Sequence, residues 1–209
     1  MKDTMEIYYD HYKDSFQEVK AHLQKRDQYF ILNALFLFAS MFTAFNPAYV
    51  QEASNNIGKL KFGVDLNLAF YTINSIFVFL FLWFAMKYYQ TVLIVENLYI
   101  YLHNVEDKLS STIKDFEISR EGKSYLDPYP ILKSCIHYFY FIVYPLVVIS
   151  LSIIKIYAEV VVRRSSIPTI ALLFDVCCLI ITVVLTLFYL SWIHFKDFTK
   201  KREGLKNAV

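Results

Sequence analysis

Asp175 lies within LLFDVCCLI, seven positions past Pro168 in an otherwise apolar run. A carboxylate at that depth in a membrane-spanning helix is costly unless it is paired or hydrated. Lys155, on the preceding apolar run, is the natural counter-charge. The turn between the two runs centres near position 165, and each residue is ten positions from it. Three readings stay open: a buried Lys155–Asp175 ion pair, an Asp175 that lines an aqueous path, and a carboxyl that keeps its proton. Asn33, Asn67 and Asn74 are amides within apolar runs, and Asn74 comes level with Ser40 if the first two runs form a hairpin. Such groups hydrogen-bond between helices, at about 1 kcal/mol each, or line a pore around an oligomer axis.

Basic residues flank the first and last runs: Lys20, Lys25 and Arg26, then Lys196, Lys200, Lys201 and Arg202. They suit topology and anionic lipid, or a cytoplasmic anionic ligand such as a nucleotide or nucleic acid where several subunits bring them together. His137, His194 and Cys135 fall at the inner ends of two runs, but no CxxC or HxxxH spacing supports a metal, and they read as interfacial residues. Cys135, Cys177 and Cys178 read as small apolar side chains. There is no GxSxG, HExxH or phosphate-binding glycine motif. No catalytic residue, metal or cofactor is therefore expected, and the chain does not read as an enzyme.

The elements that must position these residues are membrane helices. Of the 209 residues 56% are hydrophobic and 18% aromatic, and the mean hydropathy is +0.37. This is a membrane composition, and a net charge of +2 is too small to argue for nucleic acid by itself. Leu66 to Met86 is twenty-one residues without a formal charge, the length a spanning helix needs. The predicted class is all-α, an integral membrane protein with four transmembrane helices and a cytoplasmic helical extension.

Residues 1–27 read as a cytoplasmic amphipathic helix with Ile7, Tyr12, Phe16, Val19 and Leu23 on one face. Ser15 and Glu18 have capping-box spacing, which allows a break near Asp14. Residues 28–86 hold the first two spans, with an external loop over 46–65 opened by Asn46-Pro47. Residues 87–130 continue the second span as a cytoplasmic extension and loop. Its apolar stripe, Val92, Val95, Tyr99, Leu102, Val105 and Leu109, must pack on the N-terminal helix, a second copy or a partner. Residues 131–195 hold spans three and four, with a kink at Pro145 and an external turn over 158–167; residues 196–209 are a basic cytoplasmic tail.

Lysines and arginines divide sixteen to four between the two sides when both termini are inside, which predicts cytoplasmic termini in a cell inner membrane. No span contains glycine, which argues against GxxxG pairing and against the broken helices of transporters. A chain this small has little room for an internal aqueous path, so conduction is expected from a symmetric homo-oligomer.

The charged helix before QYFILNALFLFASMF, the long KYYQTVLIVENLYIYLHNVEDKL extension and the short VVRRSSIP turn together give a recognisable layout. In that layout the chain resembles the small four-span membrane effectors of bacterial anti-phage operons, such as the Hailong-type channel or the Kiwa membrane component. The resemblance covers the whole chain as architecture and carries over no functional residue. It implies a tetramer-like assembly in the lipid bilayer, partnered by a cytoplasmic protein or a nucleic-acid ligand, acting during infection. The reading from sequence is thus an oligomeric channel or pore-forming effector gated through its cytoplasmic helices. The alternative is a membrane-anchored sensor or scaffold that recruits a cytoplasmic partner through the 88–118 stripe.

Overall fold

The computed structural model describes residues 2–63, 69–112 and 138–206, with side-chain surroundings for 6–61, 69–109 and 138–192. Asn67, Cys135, His137 and the loop expected over 119–130 lie outside the described residues. Lys196, Lys200, Lys201, Arg202 and His194 are placed as helix backbone only.

All regular structure among the described residues is helical. The order is α1 (Lys2–Phe45), α2 (Pro47–Phe62), α3 (Phe70–Thr112), α4 (Tyr144–Tyr157) and α5 (Thr169–Lys206), with π turns at Phe139–Val143 and Ala158–Val162 flanking α4. Four helical segments are long and apolar enough to cross a membrane: Glu6–Phe45, Phe70–Leu109, Phe139–Val162 and Thr169–Trp192. The chain is an all-α, multi-pass membrane protein.

Three local features differ from the sequence reading. The helix does not break at Asp14; α1 is continuous, so the Ser15/Glu18 spacing meets no orphan amides to cap. The segment expected as an external loop over 46–65 is mostly α2. Pro47 sits in its first turn, Lys59 and Lys61 face the negative end of its dipole, and Gly63 closes it in the left-handed region (φ 64°), its N–H reaching the Lys59 carbonyl at 3.2 Å. The turn expected over 158–167 is shorter, because the π turn carries the helix on to Val162, with Arg163 N–H bonded to the Ala158 carbonyl at 3.1 Å. The expected irregularity at Pro145 takes the form of the first π turn. Proline has no N–H for the carbonyl four residues back, and a widened turn directly before it relieves the clash.

α2 has three sides. Gly58 is buried, with Ser54 and Asn55 half-buried beside it. Tyr49, Ile57 and Leu60 form an exposed apolar stripe, Leu60 at 86% exposure. Glu52, Asn56 and Lys59 form an exposed polar side. A helix with separate protein, apolar and polar faces fits a membrane surface. The Tyr49 ring meets Phe42 edge-on at 6.0 Å, joining this stripe to the exposed apolar face of α1.

The described residues divide into two compact units. One holds α1 up to Phe30 and α3 from Lys87. Tyr12, Val19, Leu102, Val105 and Leu109 form its core, with Phe16, Leu23, Leu98 and Tyr99 packed against them. Of the three partners open to the 92–109 stripe, the N-terminal helix is the one found. Ile7 departs from that face and is exposed. Within the core the Tyr12 hydroxyl donates to Glu106 Oε1 at 2.9 Å.

The other unit holds α1 from Ile31, α2, α3 up to Met86, α4, its π turns and α5. Outward-facing side chains are apolar: Ile31, Leu35, Phe38, Phe42 and Phe45 step by four and three along α1, and Ile170, Leu173, Ile180 and Phe188 mark the same kind of face on α5. Lipid contact accounts for such surfaces, which a soluble monomer rarely exposes. Phe36 stacks on Phe84 at 5.3 Å between α1 and α3, and Phe79 meets Phe174 at 6.4 Å between α3 and α5.

Candidate functional site

The interior of this second unit carries two polar tiers. The first is built on Asn74. α1 contributes Ser40 and Thr43, α3 contributes Asn74, the α4 end contributes Lys155 and Glu159, and α5 contributes Asp175; the six are 0–3% exposed. Their positions follow from helix periodicity. Ser40 and Thr43 are one turn apart, as are Lys155 and Glu159, so each pair presents both members to the same side.

Lys155 Nζ donates to the Ser40 carbonyl (2.7 Å), Asn74 Oδ1 (2.8 Å) and Glu159 Oε1 (3.0 Å). The Thr43 hydroxyl donates to Asn74 Oδ1 at 2.6 Å. Asn74 Nδ2 donates to Glu159 Oε1 (2.9 Å) and Asp175 Oδ2 (2.6 Å). These partners fix the amide's orientation. Turned over, its NH2 would face an ammonium group and its oxygen two carboxyls.

The expected Lys155–Asp175 pair is therefore indirect. The two residues do meet at one depth, but Asn74 stands between them, and the ammonium pairs with Glu159. Glu159 is a charged member of the cluster absent from the sequence reading, because position 159 falls in the expected external turn; Thr43 and Tyr144 are absent from it as well. The signal was there: Glu159 follows Lys155 by four residues, the helical repeat. Ser40 lies level with Asn74, as the hairpin arithmetic requires.

The second tier is smaller. Asn33 Nδ2 donates to the Phe81 carbonyl at 2.8 Å, and the Tyr144 hydroxyl donates to Asn33 Oδ1. α1, α3 and α4 are thereby tied together at a second level. Between the tiers, each of the four helices contributes one fully buried aliphatic side chain: Leu37, Val78, Val148 and Leu179. Each lies in sequence between its helix's contributions to the two tiers, or one turn past Asp175 on α5. Thr182 and Thr186 continue the buried face of α5 and return their hydroxyls to the Cys178 and Thr182 carbonyls at 2.9 and 2.7 Å.

Asn33, Asn74, Lys155 and Asp175 are all buried within the single chain. That placement differs from lining an axis between copies, because the hairpin of α1 and α3 turns its amides toward α4 and α5. The basic candidates fall elsewhere. Lys20 lies 4.5 Å over the Phe16 ring, Arg26 is engaged by Asp27 at 2.8 Å, and Lys25 is exposed. Of the cysteines, Cys178 is buried, Cys177 is exposed, and both are free thiols. Comparison with family models, curated proteins and solved structures finds no match to this chain.

Proposed function

We propose that this protein is a gated membrane channel whose path runs through the four-helix interior of each chain and is closed in this conformation. One observation carries the reading: on each of the four helices a fully buried aliphatic side chain, Leu37, Val78, Val148 or Leu179, lies in sequence between the charged tier and the amide–phenol tier or, on α5, one turn past Asp175. Charged groups inside spanning helices are costly and add little stability as buried pairs, which makes them candidates for an ion or proton pathway. An apolar constriction between polar tiers is a gate of the dewetting kind. The path lies within the chain because that is where the polar side chains point, which moves it off the oligomer axis expected from length alone.

Assembly as a homo-oligomer, with four copies as the layout resemblance implies, belongs to the same proposal. So do cytoplasmic termini, an inner-membrane location and a role in anti-phage defence. The sixteen-to-four division of basic residues supports the orientation. In that orientation the α1–α3 unit faces the cytoplasm, where a protein partner or an anionic ligand can bias the gate. The scaffold alternative loses its docking stripe, since Val105, Leu102 and Leu109 are buried against the chain's own α1.

The test is single-channel recording of the purified protein in planar bilayers, comparing the wild type with Leu179→Asn and Val148→Ser. Polar residues at these aliphatic positions should raise open probability or leak. Silence from all three proteins, each folded and correctly inserted, refutes the channel.

A further inference from the structure

We propose that the Asn74-centred cluster is a proton-binding site, with one exchangeable proton held on Asp175 at neutral pH and acting as the ligand that keeps the interior closed. The last clause rests on the channel reading; the proton site does not.

An ammonium has three protons, and the three of Lys155 go to the Ser40 carbonyl, Asn74 Oδ1 and Glu159 Oε1. An amide NH2 has two, and those of Asn74 go to Glu159 Oε1 and Asp175 Oδ2. Both groups are exhausted, yet Glu159 Oε2 and Asp175 Oδ1 remain buried without a hydrogen-bond partner. The charge count gives the same answer. Two carboxyls face one ammonium, so the fully ionised cluster carries one uncompensated negative charge in a site closed to water. One added proton makes it neutral.

Geometry also chooses the oxygen. Glu159 is in direct ion contact with Lys155, whereas Asp175 reaches that charge only through Asn74. The other groups facing Asp175 are the Ser75 hydroxyl on α3 and the Cys178 thiol on its own helix; Arg163, the next cation, is turned to the Phe45 carbonyl at 3.1 Å. A metal cation would find only two unpartnered carboxyl oxygens, with an ammonium beside them, too few for a hard ion. Release breaks the Asp175 O–H bond, passes the proton to water and leaves a carboxylate between α3, α4 and α5. Hydration or separation of those helices relieves that charge.

The test is infrared spectroscopy of the full-length protein in lipid nanodiscs, reading the C=O stretch of protonated carboxyls as difference spectra. Charge counting predicts the protonated carboxyls in the cluster at neutral pH: one in the wild type, none in Asp175→Asn, none in Glu159→Gln, and two in Lys155→Met. The wild-type band should shift when aspartate is isotopically labelled. A wild-type protein without the band, a band that shifts only with labelled glutamate, or a Glu159→Gln protein that keeps it overturns the assignment. If Asp175→Asn does not fold, wild-type labelling and Glu159→Gln decide alone. A band that obeys the count in a protein that never conducts removes the channel and leaves the proton site. Conduction by a protein that lacks the band does the reverse.

Discussion

Removing Lys155 tests the polar tier most directly. Lys155→Met keeps the length and apolar body of the side chain and deletes its charge. The structure assigns three bonds to that ammonium: to Glu159, Asn74 and the Ser40 carbonyl. At the roughly 0.6 kcal/mol average for hydrogen bonds measured between membrane helices, three bonds give about 2 kcal/mol. Stripping one partner from a buried ion pair gives about 3–5 kcal/mol, because the surviving carboxylate is left uncompensated. The second figure is an upper bound here, since the carboxyls can take up protons instead, so the expected loss is about 2–4 kcal/mol. Glu159→Gln removes the partner, and in the double variant the isolated charge no longer exists. Lys155→Met with Glu159→Gln should then be about 1–2 kcal/mol more stable than the sum of the two single losses predicts, a coupling typical of residues in one network. The assay is reversible unfolding in mixed micelles by titration with SDS, followed by circular dichroism. Strict additivity of the two substitutions refutes the argument, because it means Lys155 and Glu159 do not share the interaction drawn between them.

Tyr144→Phe deletes the donor to Asn33 and should cost about 0.5–1.5 kcal/mol in the same unfolding assay; no change would dissolve the second tier. Leu102→Ala opens a cavity in the α1–α3 core of the first unit, worth about 2–5 kcal/mol. It should accelerate amide exchange over residues 6–24 while the interior of α5 keeps its protection. For α2, a Leu60→Trp probe in a background of Trp83→Phe and Trp192→Phe should emit at short wavelength and be quenched by brominated lipid, whereas Asn56→Trp should not. Equal quenching of the two positions would place α2 off the membrane surface.

The four spans were legible because lipid imposes a blunt requirement: about twenty apolar residues, which 66–86 meets without ambiguity. The 92–109 stripe was legible for a related reason, since its three- and four-residue steps demand a partner face. Its choice of the N-terminal helix was left open because periodicity names a face and not its occupant. α2 was misread because Asn55-Asn56, Gly58 and Gly63 look like loop punctuation. Pro47 and the Gly63 cap set helix boundaries more strongly than those interior residues break the helix. At the polar tier, depth counting brought Lys155 and Asp175 to one level, and the structure agrees. Depth says nothing of lateral order, and the amide inserted between them reverses which carboxyl holds the ammonium. Glu159 was lost by placing a turn five residues too early, and a π turn is what no hydropathy pattern reports, because it changes hydrogen bonding without changing composition.

The cluster also makes physical sense of its surroundings. A buried ion pair with its amide bridge is weak evidence of stability, since apolar residues of the same volume often hold a bundle equally well. What such a cluster supplies is a state that depends sharply on one charge. With every donor on Lys155 and Asn74 committed, the Ser75 hydroxyl is the neighbour left to answer a change at Asp175, and one neutral donor does not compensate a full charge. The rest of that charge would be met by water or by movement of α3, α4 and α5. Water reaching the charged tier would still be separated from Asn33 and Tyr144 by Leu37, Val78, Val148 and Leu179. Those four come from four different helices, so in the proposed channel a shift of one helix would loosen the apolar layer they form. In the channel proposed above, the charged tier and the aliphatic side chains would act as one device: the first would turn a charge into a force between helices, and the second would turn helix displacement into a wet path.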